Sequence, residues 1–297
     1  MAERVLWVNG RYVSGDEPAV RADDRGLLYG DGFFETVRLY GKEPFRLSEH
    51  LERLRRSCAR FGISLGLTEE AVRGVLAELL FCTGLSKTSA RITVTRGPHT
   101  GDLGLPASSA PTAIIEVRPL VLPPPQWYER GLRLHVSEFA VSPQHPLAGH
   151  KSLNYFIFLA ARDAARRAGA DEALLLDPTG QVVEAATSNI FCVRKGLLRT
   201  PPLDSGALPG VTRRAVLELC HAEGLPCREV PLPLKEVATS DEVFLTNSLV
   251  ELLPVAAIED HRMPAGAPGP VTSTLQRLYR QLVERETAPP GPVRPSP

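Results

Sequence analysis

Lys151, in LAGHKSLNYFIF, and Glu184, in QVVEAATSNIF, are the residues whose type and setting point most directly to chemistry. Only five of the 34 basic residues are lysines, and arginine, which serves most surface roles of lysine, cannot form a Schiff base. A lysine is ordinarily a solvated surface cation. Lys151, however, precedes Leu153, Tyr155, Phe156, Phe158 and Leu159, which are expected to bury the start of a helix and set the amine against a core. Desolvation there lowers its pKa and makes the neutral, nucleophilic amine accessible near pH 7. Glu184 stands alone as a charge at a strand end: either an ordinary strand-end carboxylate or the counter-charge of a cationic heterocycle.

Three further segments could hold an anion. LPGVTRR at 208–214 is a glycine turn entering a helix, where the N–H groups of Val211 and Thr212 face a phosphate as readily as they face solvent. Thr246-Asn247-Ser248 closes a strand with small polar groups, suiting a turn or an anion pocket. Arg53, in EHLERLRR, taken alone is a surface arginine.

The elements that must position these residues follow from periodicity and turn chemistry. Asn9-Gly10 separates strands at 5–8 and 11–13 as a tight hairpin. Strands are expected at 33–40 and 44–47, then a helix capped by Ser48 with Leu51, Leu54, Cys58 and Phe61 on one face. A helix opens at Thr68 and stops near Gly84, and strands follow at 90–96 and 112–118. PLVLPPPQ at 119–126 favours stiff extended geometry and divides the chain. Beyond it the pattern predicts a strand at 132–141, a helix at 153–168, and strands at 172–176, 181–184 and 189–193. A helix ending at Gly224, a strand at 241–246 and a helix at 271–284 complete it. The reading is an α/β (α+β) chain with a domain at 1–118, a linker at 119–127, a second domain at 128–286 and a disordered tail at 287–297.

Composition removes other classes. Lys+Arg and Asp+Glu are both 34, so the broad positive field that nucleic acid or an anionic membrane selects is missing. The sequence holds no apolar run near the roughly 20 residues of a membrane helix and no signal-peptide pattern. Five scattered cysteines without C-x-x-C, and histidines without metal-ligand spacing, suit a reducing cytoplasm and no metal.

The set FRLSEHLERL, HKSLNY, EAATSNIF, LPGVTR and TNSLVELLPV, in this order across about residues 3–285, resembles the class IV (fold type IV) family of pyridoxal-phosphate enzymes. The resemblance implies a smaller N-terminal α/β domain, a larger C-terminal pseudo-barrel domain, pyridoxal 5'-phosphate between them, a small-molecule substrate and a homodimer. It implies that Lys151 bonds the cofactor and moves protons, and that Glu184 pairs with the pyridine nitrogen. Arg53, Val211, Thr212 and Ser248, with Asn247 beside it, hold or flank the phosphate, and Tyr155 approaches the phenolic oxygen.

Within the family, KSLNY is one residue shorter than the branched-chain aminotransferase pattern, and Phe34-Glu35-Thr36 replaces F-E-G. The Arg-x-His clamp of D-amino acid aminotransferases is missing from TRGPHTGDLGLP, where Gly97 lies two residues before His99. YGDGFFETVR places Thr36 where aminodeoxychorismate lyases use a threonine as proton donor. The expectation is therefore a 4-amino-4-deoxychorismate lyase yielding p-aminobenzoate and pyruvate for folate synthesis, with Lys151 and Thr36 catalytic. A class IV aminotransferase acting on D- or branched-chain amino acids is the alternative, and a non-catalytic cofactor-binding protein the alternative of another class.

Overall fold

The hairpin at Asn9-Gly10 forms. β1 (Val5–Val8) and β2 (Arg11–Ser14) pair antiparallel, with Asn9 at φ 45° and Gly10 at φ 91° in the turn. The computed structural model describes residues 4–99, 101–105 and 110–288. After a short helix α1 (Arg25–Tyr29) come β3 (Gly32–Tyr40), β4 (Glu43–Pro44), α2 (Leu47–Arg60), α3 (Glu69–Thr83), β5 (Thr88–Thr95) and β6 (Thr112–Pro119). The six strands form one antiparallel sheet in the order β2-β1-β6-β5-β3-β4.

Period-two alternation along β3 decides what the site receives. Phe33, Val37 and Leu39 join Leu51, Leu54 and Cys58 of α2 and Leu76 and Leu79 of α3 in one core, while Phe34 and Thr36 face the other way. Thr68 caps α3 by accepting from the Ala71 N–H, and Gly84 at φ 63° ends it. The start of α2 differs from expectation. The strand at 44–47 shrinks to Glu43–Pro44, and Arg46, at φ 51°, occupies the cap position instead of Ser48. Its guanidinium is tied to Glu49, Glu218 and Glu286, which holds that turn without a side-chain cap.

The second half comprises α4 (Gln126–Arg130), β7 (Leu132–Val136), α5 (Phe156–Arg167), β8 (Glu172–Leu176), β9 (Val182–Ala185), β10 (Asn189–Arg194) and β11 (Leu197–Thr200). These are followed by α6 (Val211–Ala222), β12 (Cys227–Glu229), α7 (Leu234–Ala238), β13 (Glu242–Asn247), β14 (Glu251–Ile258), β15 (His261–Arg262) and α8 (Pro270–Glu286). Its strands make a mixed sheet, β12-β11-β10-β13-β14-β7-β8-β9 with β15 on β14, curled into a half-barrel. The strand expected over 132–141 ends at Val136, and β11 and β14 were not anticipated. Residues 289–297 of the expected tail lie outside the described residues.

The segment carrying Lys151 joins the two halves. The Phe34 N–H donates to the Lys151 carbonyl and the Leu153 N–H to the Gly32 carbonyl, so Ser152 forms an isolated antiparallel bridge to Phe33 at the start of β3. Gly32 permits this approach, since a Cβ there would lie 2.4 Å from the Val94 carbonyl oxygen and 2.8 Å from Leu153. This pairing delays the helix expected at 153 until Phe156. Among the described residues no helix is long and apolar enough to cross a membrane.

Leu54 is buried between α2 and the sheet, so Leu54→Ala is expected to cost about 2–5 kcal/mol in urea unfolding. Glu52→Ala, on the exposed face of the same helix, should stay within about 0.5 kcal/mol of wild type.

Candidate active site

A cavity of about 930 Å³ opens between the two sheets, and all nine residues singled out from sequence line it: Thr36, Arg53, Lys151, Tyr155, Glu184, Val211, Thr212, Asn247 and Ser248. Lys151 is half-buried, and not in the way expected. Phe156 and Leu159 point outward, 81% and 55% exposed, because the helix begins later. The aromatic cover comes instead from Phe34, whose ring centroid is 4.5 Å from Lys151 Nζ, and from Tyr155 at 5.6 Å. Burial, reinforced by the Arg53 charge, lowers the Lys151 pKa to about 8. Near pH 7 the neutral amine is thereby enriched by about two orders of magnitude over an ordinary lysine.

Glu184 shows the opposite shift from the same cause. Burial raises its pKa to about 7 against the opposing hydrogen bond from the Leu208 N–H and the charges of Lys151 and Arg53. A carboxylate so placed gains most from a cation placed against it, as a protonated ring nitrogen is.

The third component is an anion cup. α6 starts at Val211 with no side-chain cap, leaving its first N–H groups without a capping partner. Gly210 is required before it, because a Cβ would fall 2.0 Å from Asn189 Oδ1. Asn189 in turn donates to the Leu208 carbonyl, fixing the turn. The Thr246 hydroxyl is buried, has no partner and belongs to the cavity wall. Together with Arg53 and Ser248, these groups suit a phosphate.

Arg53 is held by a group the sequence reading passed over. Its Nε and Nη2 donate to the two oxygens of Glu35, each at 2.7 Å, and its Nη1 donates to the Pro209 carbonyl. His50, three residues earlier on α2, places Nδ1 2.7 Å from Glu35 and Nε2 3.4 Å from the Ser248 hydroxyl. Glu35 is fully buried; burial alone would raise its pKa, but Arg53 and His50 bring it down to about 2. An acid isolated within FFETV and a histidine and arginine at i,i+3 were the available signals. Arg91, also missed, faces the cavity because it pairs with Thr36 across β3 and β5.

Two expected ligands have other work. Asn247 donates to the Thr187 carbonyl and Ser188 Oγ and accepts from the N–H groups of Leu249 and Val250, so its amide is fully occupied in shaping the wall. The Tyr155 hydroxyl donates to the Ala186 carbonyl, and burial raises its pKa.

A family model described as amino-transferase class IV matches residues 32–258, which contain every one of these groups. The chain belongs to that family. Among relatives of this class IV protein, the "Putative branched-chain-amino-acid aminotransferase" of Methanocaldococcus jannaschii is 37% identical over 282 residues, covering 93% of this chain and 96% of its own. The solved branched-chain amino acid aminotransferase of Escherichia coli superposes with TM-score 0.90 at 29% identity, covering 98% of each chain. The 4-amino-4-deoxychorismate lyase of Pseudomonas aeruginosa gives TM-score 0.81 at 35% identity, covering 93% of this chain and 98% of its own. The two-domain fold type IV architecture is thus that of this chain.

Glu35 ties protonation to folding. Its native pKa of about 2 lies below the ordinary 4.5, so the unfolded chain takes up this proton first as pH falls. The stabilisation is present above about pH 4.5 and lost as pH falls towards about 2. Glu35→Gln should cost about 3–5 kcal/mol at neutral pH by stranding Arg53, and should flatten the loss of stability on acidification below about pH 5 in urea titrations.

Proposed function

We propose that this pyridoxal-phosphate enzyme is an aminotransferase, moving an amino group between an amino acid and a 2-oxo acid with a dicarboxylate such as 2-oxoglutarate among its acceptors. The observation that carries this reading is the full-length likeness to curated aminotransferases, and Arg91 supplies a contact for the substrate's carboxylate. Its guanidinium lies 3.8 Å from the Phe34 ring centroid beside Lys151, donates to Thr93 Oγ1, and forms no ion pair among the described residues. Burial lowers its pKa. A half-buried guanidinium in the cavity wall, paired with no protein carboxylate among the described residues, suits a carboxylate of the substrate.

Pyridoxal 5'-phosphate, when bound, supplies an aldehyde that condenses with amines and a ring that accepts electrons from the substrate's C–H bond. Lys151 provides the amine for attachment and then, at Nζ, takes and returns the proton. Glu184 holds a proton at the ring nitrogen. The α6 N-terminus, Arg53, Thr246 and Ser248 grip the phosphate, and Phe34 and Tyr155 exclude water around Nζ.

The lyase is a second reading, favoured by the Thr36 side chain in the cavity wall and by the likeness to the Pseudomonas enzyme. A homodimer belongs to either reading; exposed Leu27, Leu28 and Tyr29 on α1 and Phe156 on α5 supply apolar surface for it.

The deciding assay measures amino transfer from L-leucine, L-glutamate and D-alanine to 2-oxo acids beside p-aminobenzoate release from aminodeoxychorismate. Transfer with negligible p-aminobenzoate is expected, and the reverse would establish the lyase. Lys151→Ala should abolish turnover with the fold retained. Arg91→Gln should raise KM for 2-oxoglutarate about tenfold or more; an unchanged KM would remove Arg91 from substrate recognition.

A further inference from the structure

The C-terminal half of α2 carries Arg56 and Arg60, one turn apart on the same helix face. Both line a second cavity of about 370 Å³, with Gly149, His150, Ala207 and Pro209 also in its wall and no carboxylate there. Of the arginines nearby, Arg46 pairs with Glu218, Arg53 with Glu35 and Arg73 with Glu69, while Arg55 donates to the Leu67 carbonyl. Among the described residues Arg56 and Arg60 pair with no acid. Like charges at this spacing repel, and a chain of zero net charge has no general excess of cations to explain it.

His150 adds a directed group. Its Nδ1 lies 2.9 Å from Ser57 Oγ, and its ring packs against Phe61 at 5.2 Å and Phe33 at 6.0 Å, so its orientation is fixed and Nε2 is its remaining polar atom. Burial first, then the charges of Arg56 and Arg60, hold its pKa below the usual range. Two cations and a histidine whose protonation burial and those cations oppose constitute a receptor that gains on all three counts from a bound negative charge.

We propose that this second cavity is a binding site for the phosphate or carboxylate group of a small metabolite, held by Arg56, Arg60 and His150. Guanidinium groups match both oxyanions in bidentate geometry, and the cavity volume suits a small molecule. The site adjoins the main cavity, whose wall also contains Gly149 and His150. His150 precedes Lys151 in the chain, and the Pro209 carbonyl accepts from Arg53. An occupant therefore touches the rear of both segments that carry the active groups.

The test uses holoenzyme, whose cofactor already fills the phosphate cup beside α6. It is titrated calorimetrically with inorganic phosphate and, separately, with succinate, at ionic strength held constant with chloride. Saturable binding of at least one is expected, accompanied by a rise in the His150 pKa read from ring proton resonances, since a nearby anion favours the protonated imidazole. Arg56→Gln/Arg60→Gln, at exposed positions, should leave the melting temperature near wild type and weaken binding about tenfold or more. Arg56→Lys/Arg60→Lys should retain more of it. Binding of phosphate alone or of succinate alone identifies the group recognised. Saturation by neither, or equal affinity in the glutamine variant, overturns the site. Succinate also suits Arg91 in the main cavity, so only the affinity lost in the glutamine variant is assigned to this site, and that loss stands apart from whether the enzyme transfers amino groups.

Discussion

The buried ion pair of Glu35 and Arg53 is the constraint on which the site depends. Placing both charges out of water carries a desolvation cost that their attraction only partly offsets, and an apolar pair of the same volume would serve stability as well. What an apolar pair could not do is fix direction. Glu35 takes two of the guanidinium nitrogens and the Pro209 carbonyl the third, so β3, α2 and the turn before α6 are locked to one another through a single side chain. The same carboxylate aligns His50, and His50 reaches Ser248 on the opposite side of the cup. Each wall of the anion cup is referred back to one strand of the six-stranded sheet.

Against that fixed frame, one environment acts oppositely on two groups. Burial lowers Lys151 to about 8 and raises Glu184 to about 7, because in each case the charged form is the one that loses water. The two groups are thereby brought towards the same pH from opposite sides. A base must be neutral to accept a proton, and a counter-charge must become ionic when a cation arrives. Near neutrality Lys151 is therefore partly neutral and Glu184 partly ionised.

Much of this was readable in the chain, and the failures have physical causes. Asn9-Gly10, Thr68 and Gly84 act through local geometry, so their turns and caps were legible. Lys151 and Glu184 stood out by residue type. The start of α5 was misplaced because pairing of Lys151 and Leu153 with β3 is a long-range bond that no helical period reports. Asn247 looked like a ligand, yet its amide is consumed by four bonds to the wall. Glu35 and Arg91 were missed for a shared reason: the meaning of each lies in a partner across the fold, α2 for one and Thr36 on the neighbouring strand for the other.

Register explains why choosing the reaction is harder than choosing the family. Thr36 and Arg91 are opposed residues of β3 and β5 and so present their side chains to the same face of the sheet. One offers a hydroxyl, which suits protonation of a leaving group; the other offers a cation, which suits a carboxylate. Neither belongs to the frame of Glu35, Arg53, Lys151 and Glu184. Both lie apart from the Glu35–Arg53 pair, because alternation along β3 sends Glu35 towards α2 while its neighbours Phe34 and Thr36 face the cavity. One face of β3 thus supports the cup while the other, with Arg91 of β5, lines the cavity.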